Sequence, residues 1–272
     1  LAKEIKKNEL ALITTKEQAV QSYPTSLTNS QWQCINKILK DKRKRQTSLR
    51  RVWDAIHYQA RSGCSWRLLP CEFGKWSTVY YYFRKWLNDG TLQRVQARIR
   101  ELVREQLGRN TCPSMGIIDS QSVKNSEWGI PDKGYDGNKK INGRKRHIVV
   151  DTQGLLLCVV VTPANEHDST AAVRVIKRMK GNFPQLKLLL GDGGYKGSRL
   201  RRLAKKHLKA KFEVVTRGEE AGFKVIPQRW VVERSIAWLS WFRRLSRDYE
   251  ANMETSEAWV LLASIFMMIK KI

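Results

Sequence analysis

The sequence predicts an α/β domain with a mixed sheet, preceded by a small all-α domain of helix-turn-helix type. Three observations predict it. Up to about Gly108, apolar residues recur only at helical spacing. From Met115 onward, short apolar runs alternate with amphipathic stretches, in the order strand, hairpin, helix, strand, helix, strand, helix. The change falls in "GRNTCPS", a polar, turn-forming stretch at residues 108–114. The expected divisions are an N-terminal arm at 1–22, a helical domain at 23–110 and an α/β domain at 111–272.

The first 22 residues are polar and weakly patterned, a helix or a loose arm. Thr28 or Asn29 can cap a helix through Leu39. "KRKR" at 42–45 makes a basic corner. A second helix runs from about Ser48 to Arg61, with Val52, Ile56 and Ala60 on one face. Pro70 and Gly74 then break the chain, and Ser77 can cap a third helix that Gly90 ends. A fourth reaches about Leu107. Trp53, Trp66, Trp76 and Trp86 suit a core, whereas Lys75, Tyr81, Arg84 and Lys85 suit contacts with DNA.

In the second half, "MGIID" reads as a buried strand ending at Asp119, and "HIVVDTQGLLLCVVV" as a hairpin turning at Asp151 to Gly154. Asp168 or Ser169 opens a helix that Gly181 closes. "LKLLLGD" is a strand ending at Asp192. Ser198 starts a helix with Leu200, Leu203, Ala204 and Leu208 inward, and Arg199, Arg201, Arg202, Lys205, Lys206 and Lys209 outward. "KFEVVTR" is the last strand. Pro227 leads into one long helix, "QRWVVERSIAWLSWFRRL".

Of the 272 residues, 51 are Lys or Arg and 25 are Asp or Glu, a formal net charge of +26. Such an excess speaks of a polyanionic partner, of which nucleic acid is the commonest. A membrane surface would want the charge on one amphipathic helix, and here it is spread. The longest apolar stretch, Ala258 to Ile269, is 12 residues with Ser264 inside it. That is short of the roughly 20 a bilayer needs. No signal peptide is visible, and residue 1 is Leu, which leads us to expect a natural N-terminus that is missing or different. The five cysteines are odd in number and form no CxxC, as expected of reduced thiols in a cytosolic protein.

Two buried strands end in acids, Asp119 and Asp192. If the strands are parallel neighbours, both carboxylates emerge at one carboxyl edge, where open α/β sheets place their sites. Two close carboxylates repel unless a cation compensates, and oxygen ligands favour magnesium or manganese. Glu233, on the polar side of the long helix, is a candidate third acid, with Val232, Ile236, Leu239 and Phe242 facing the sheet. The other acids have plainer readings: Asp151 in a turn, Asp132 and Asp136 solvated in a loop, Glu166 and Asp168 as helix caps. Three such acids in a strongly basic chain point to a metal-dependent phosphodiester enzyme.

The stretches "GIIDSQSVK", "GYDGNKKINGRKRHIVVDTQGLLL", "DGGYKG" and "RWVVERSIAWLSWFRRLSRDYE" resemble the DDE transposases of bacterial insertion sequences, insertion-sequence-five group. The likeness runs from about Tyr23 and takes in "LTNSQW", "RSGCSWRLLP" and "FGKWSTVYYYFRKW". It implies a ribonuclease-H-like fold and a catalytic, metal-binding triad of Asp119, Asp192 and Glu233. It also implies Mg2+, with Mn2+ as a substitute. Arg229 matches the Arg four residues before the family's Glu, while the superfamily's Tyr and basic slots hold Ile226 and Ser240. Basic help at the DNA end is therefore assigned to Arg243, Arg244 or Lys196. Phosphate contacts are expected from a loop, Lys139 to Arg146, that includes Lys140, Arg144 and Lys145, and from the basic face between Arg199 and Lys209. Gly193 and Gly194 are expected to clear space for a phosphate. The resemblance implies cleavage at the inverted-repeat ends of an element and joining of the 3′-OH to target DNA. The helical domain would read the ends, at least a dimer would assemble on DNA, and the protein would work in the bacterial cytoplasm at the nucleoid. The alternatives are a related nuclease without strand transfer and a DNA-binding derivative without chemistry.

Overall fold

The computed structural model describes residues 23–41, 43, 45–125, 131–215 and 230–272. Lys42, Lys44, the 1–22 arm, Ile226, Pro227 and Arg229 lie outside the described residues. The first two helices start where hydroxyl side chains can cap them. Thr28 forms a capping box with Gln31 ahead of α1 (Asn29–Leu39), and Ser48 accepts the Arg51 N–H ahead of α2 (Leu49–Ser62). The next helix, α3 (Trp76–Asn88), begins a residue before Ser77 and has no side-chain cap. Between α2 and α3 the chain passes through two 3-10 turns, Trp66–Leu68 and Cys71–Phe73. A tight connection comes only at Asp89 and Gly90, where a φ of 73° suits glycine, and it leads into α4 (Thr91–Gln106).

The sheet comprises β1 (Met115–Lys124), β2 (Gly134–Asp136), β3 (Ile141–Val150), β4 (Leu156–Pro163), β5 (Leu188–Gly191) and β6 (Lys211–Val214). Its order is β2-β3-β1-β5-β6, with β4 also paired to β3. The β1/β3 and β3/β4 pairs are antiparallel; β1/β5 and β5/β6 are parallel. An antiparallel meander followed by parallel strands, with helices on both faces, is the ribonuclease-H-like arrangement.

Side-chain alternation on β1 builds two cores. Ile118 joins Val149, Leu189, Val175 of α5 (Asp168–Met179) and Leu200 of α6 (Ser198–Leu208). Ile117 joins Ile148, Val232 of α7 (Trp230–Leu239) and Phe266 of α8 (Met253–Ile269). The second core runs on without a break through Trp53, Ile56, Phe83 and Ile99 of the helical segment. Trp259 packs on Phe83 at 5.0 Å and on Trp66 at 5.8 Å between ring centroids. The apolar stretch at the C-terminal end is thus a packed helix. Among the described residues no helix is long and apolar enough to cross a membrane. All five cysteines are free.

Three local expectations need correction. β1 does not end at Asp119 but runs to Lys124, because β3 pairs with it as far as Lys124↔Gly143. The expected basic loop from Lys139 becomes strand at Ile141. The long helix stops at Leu239: Phe242 is extended, and Arg243–Leu245 form a separate 3-10 turn. Arg61 on α2 donates to the Trp241 carbonyl at 2.9 Å, which anchors that break.

Candidate active site

The last paired residues of the parallel β1/β5 ladder are Ile117 and Leu190. Asp119 and Asp192 lie two residues further along each strand, so they stand level at the edge of that pair. On its other side β1 continues beside β3, and Asp119 pairs with Ile148, whose side chain belongs to the core under α7 and α8. Glu233 is exposed on α7, over the same face. Asp119, Asp192 and Glu233 all line one open cleft of about 470 Å³, together with Gln121, Lys139 and Ile236. The site is therefore not simply a strand end. One wall is the extension of β1 past Asp119.

Local backbone holds both aspartates. Asp119 Oδ1 accepts the Ser120 N–H at 2.7 Å, and Asp192 Oδ1 accepts the Gly194 N–H at 2.9 Å. The latter opens a 3-10 turn, Gly193–Tyr195. The two glycines differ. A Cβ on Gly193 would meet nothing nearer than Lys196 Cε at 3.8 Å, which leaves open approach. A Cβ on Gly194 would lie 3.0 Å from Asp168 Oδ2 and 3.2 Å from Asp192 Oδ1. Gly194 makes room for two carboxylates, not for a phosphate.

The acids with plainer readings also need revision. Asp151 is in its turn, but fully buried, accepting the Gln153 and Leu155 N–H groups and pairing with Arg104. Asp136 is buried rather than solvated. Burial pushes its carboxyl up, but the Ser122 hydroxyl, the Lys139 N–H and Lys145 outweigh that and hold it below the usual range. The cap of α5 is His167, whose Nδ1 accepts the Ser169 N–H; Asp168 is the first helical residue.

Among the basic candidates, Lys75, Lys85, Lys139, Lys140, Lys196 and Arg243 are exposed. Arg84 is half-buried and reaches Thr255 Oγ1 at 3.3 Å. Arg144, Lys145, Arg146 and Arg244 are corrections: all four are buried and committed to protein partners. Arg144 donates to the carbonyls of Glu250, Ala251 and Pro131 and faces Asp248 at 3.4 Å. Arg146 donates to the Leu245 carbonyl at 2.7 Å. Burial lowers its guanidinium to about 10, so it stays charged at neutral pH. Arg244 pairs with Glu250 at 2.5 Å and lies over the Tyr249 and Trp259 rings. Arg144 and Arg146 pin the segment between α7 and α8 to β3, Arg244 holds that segment to Glu250 and the Cys64 carbonyl, and burial withdraws all four side chains from a phosphate. The six basic residues of α6 and its cap, Arg199, Arg201, Arg202, Lys205, Lys206 and Lys209, are exposed as expected, and none has an ion pair among the described residues.

One feature beside Glu233 went unread in the sequence. Arg234 is sandwiched between the rings of Trp230 and Trp238, 4.5 Å from each centroid. Trp at i−4 and i+4 around an Arg is the signal, since both neighbours fall on the same helix face. The sandwich stiffens the turn that carries Glu233.

Three carboxylates on one cleft make a hard-oxygen donor set of the kind Mg2+ or Mn2+ takes. Among the described residues no group of three or more His, Cys, Asp or Glu is drawn tightly enough to hold an ion.

Comparison with known proteins shows the family. Residues 110–268 match the family model described as a transposase DDE domain. Residues 27–96 match a second model, described as a transposase of the IS4/5 family. A Burkholderia cepacia protein assigned as the transposase for insertion sequence element IS402 is 32% identical over 154 residues, 54% of this chain and 70% of that protein. No solved structure matches the chain.

Proposed function

Since the chain belongs to the DDE transposase family, we propose that it binds the inverted-repeat ends of an insertion sequence, cleaves them and joins the freed 3′-OH to target DNA. The observation that carries this reading is the open cleft on which Asp119, Asp192 and Glu233, from β1, β5 and α7, come together with Lys139 on its wall. Asp119 and Asp192 would hold Mg2+ or Mn2+ at the level edge of β1 and β5, and Glu233 would complete the set from α7. Divalent cations there supply an electrophile for the phosphodiester and make a water or 3′-hydroxyl easier to deprotonate. The chain itself orients the DNA. Lys139 stands on the cleft wall to take a phosphate oxygen. Lys140, next to it in the chain, and Lys196, whose Cε lies near Gly193, would extend that positive rim, while Lys75 and Lys85 of the helical segment and Arg243 beside Gly63 would serve the end duplex. The basic face of α6 lies on the opposite sheet face and binds backbone phosphate without reading sequence. At least two copies assemble on DNA, because two ends are cut and joined together. The setting is the bacterial cytoplasm.

The test is incubation of the full chain with duplexes carrying the terminal repeats of its own element plus Mg2+, beside scrambled duplexes. Cuts at the repeat ends are expected, and they should vanish in Asp119→Asn, Asp192→Asn and Glu233→Gln while gel-shift affinity persists. Cutting that ignores the repeats, or joins nothing, would mean a plain nuclease. Retained cutting in any acid variant would remove that residue from the site.

A further inference from the structure

On the face of β1 opposite Asp119, the apolar layer stops abruptly. Ile118 and Val149 are buried in the core with α5 and α6. One step further along that face the paired residues are Ser120↔His147, and then Ser122↔Lys145. Lys145 Nζ lies 3.1 Å from Asp168 Oδ1, 3.1 Å from the Glu166 carbonyl and 3.7 Å from Asp136 Oδ2. Ser120 Oγ donates to Asp168 Oδ1 at 3.2 Å. His147 Nε2 is 3.1 Å from Thr162 Oγ1, and its Nδ1 is 3.9 Å from Asp168 Oδ1. The other Asp168 oxygen faces Gly194, whose N–H holds Asp192. One carboxylate thus touches β3 through Lys145, β1 through Ser120, and the turn after β5. The buried Tyr195 side chain lies within the field of Asp168, Asp119 and Asp192.

Lys145 is nearly buried and Asp168 about a quarter exposed, and an ion pair taken largely out of water is a poor way to stabilise a fold; an apolar layer of the same volume does as well or better. What the ionic layer adds is a fixed geometry. We propose that Asp168, gripped by Lys145 and Ser120, is a positioning residue that sets the Asp192 turn against the strand carrying Asp119. This rests on the assignment of Asp119, Asp192 and Glu233 as the catalytic acids. Asp168 acts from behind them and is not among the cleft-lining residues.

The full chain is compared with Asp168→Asn, Ser120→Ala and, as reference, Asp119→Asn. Four quantities are read: Tm, gel-shift affinity for end DNA, calorimetric affinity for Mn2+ without DNA, and cleavage rate against Mg2+ concentration. Asp168→Asn keeps an amide oxygen for Lys145 and Ser120, and Asp136 still faces Lys145, so Tm should fall only slightly with DNA affinity unchanged, while Mn2+ affinity should fall about 10- to 100-fold, as expected when a group that orients a ligand is weakened. Its cleavage should recover as Mg2+ is raised. Ser120→Ala should shift the same way by less. Unchanged Mn2+ affinity in Asp168→Asn would overturn the proposal, leaving Asp168 a helix-start residue. A fall in Tm that tracks the loss of Mn2+ affinity in both variants would overturn it in favour of a folding role. Cleavage as dead as in Asp119→Asn at every Mg2+ concentration would make Asp168 a ligand, not a positioning group. Normal cutting by Asp119→Asn would fail the catalytic assignment itself, whatever Asp168 does.

Discussion

The ring of Phe266 stacks on the imidazole of His57, 4.0 Å between centroids and 10° from parallel. The two residues belong to α8 and α2, at opposite ends of the described chain, and the contact lies in the core that the helical segment shares with the sheet. A fragment of residues 1–110 lacks α8 and the sheet. It should therefore expose the apolar surfaces of Trp53, Phe83 and Ile99. The expected outcome is little cooperative unfolding by circular dichroism and strong dye binding, with end recognition restored only in the full chain. A fragment that melts sharply and binds end DNA selectively would show that the helical segment folds alone.

Arg144 should behave as a structural residue. Arg144→Met removes the cation facing Asp248 and leaves the Glu250 and Ala251 carbonyls without their donor. Breaking a buried pair from one side costs about 3–5 kcal/mol. Urea denaturation should report a loss of that order. Lys139→Ala, at the exposed cleft wall, should instead leave stability alone and weaken DNA binding.

The basic face of α6 should act through salt. Arg201, Lys205 and Lys209 follow each other at i, i+4 spacing. Like-charge neighbours of this kind destabilise a helix by about 0.2–0.5 kcal/mol per pair. Replacing all three by Gln should leave Tm equal or slightly higher. If each neutralises one phosphate, the slope of log K against log[salt] should become shallower by about 0.9 × 3, roughly 2.7. An unchanged slope would mean a merely solvated face.

The two glycines after Asp192 should separate. Gly193→Ala meets open space and should cut nearly normally. Gly194→Ala forces a methyl against Asp168 and Asp192. Its cleavage should fall with DNA affinity intact, as measured by paired cleavage and gel-shift assays.

Asp54 gives the protein a pH-dependent term. It is mostly buried and accepts the Leu27 N–H at 2.7 Å. Burial raises its carboxyl from 3.8 to about 6, against the opposing pull of the Leu27 N–H and Arg50. A carboxyl raised in the fold favours the native state while protonated. That contribution is complete below about pH 4 and lost as pH rises through 6. Asp54→Asn should therefore be more stable than the parent at pH 7.5, by about 1–3 kcal/mol, and equal to it near pH 4. Thermal melts at the two pH values check this.

The three acids could be read in the sequence because each sits at a boundary that local pattern reveals: an apolar run ending in Asp119 or Asp192, an amphipathic helix with Glu233 on its polar side. Arg144, Lys145 and Arg146 could not. "INGRKRHIVV" has the composition of a solvated loop, and what makes it a strand is pairing with β1 and β4 on both edges. The partner that buries Arg144 is Asp248, 104 residues away, and no local periodicity points to it. The role of Asp168 was hidden for the same reason, since its partners come from β1, β3 and the turn after β5. The break after Leu239 was equally invisible. "WFRRL" continues a helical pattern, and the Trp241 and Leu245 carbonyls are held by Arg61 and Arg146 from other elements.

The placement of α8 also sets an order in time. A ribosome makes the helical segment first and α8 after every strand of the sheet. Trp53 and Phe83 must therefore stay without their final covering while the β-strands, the Asp192 turn and α7 are synthesised. Closing these contacts spans most of the chain, and contacts of such long separation form late and slowly. A nascent chain therefore cannot complete the core of its helical segment before the strands and helix that carry Asp119, Asp192 and Glu233 have been made. On the proposed function, reading and cutting would become available together, when the same helix docks.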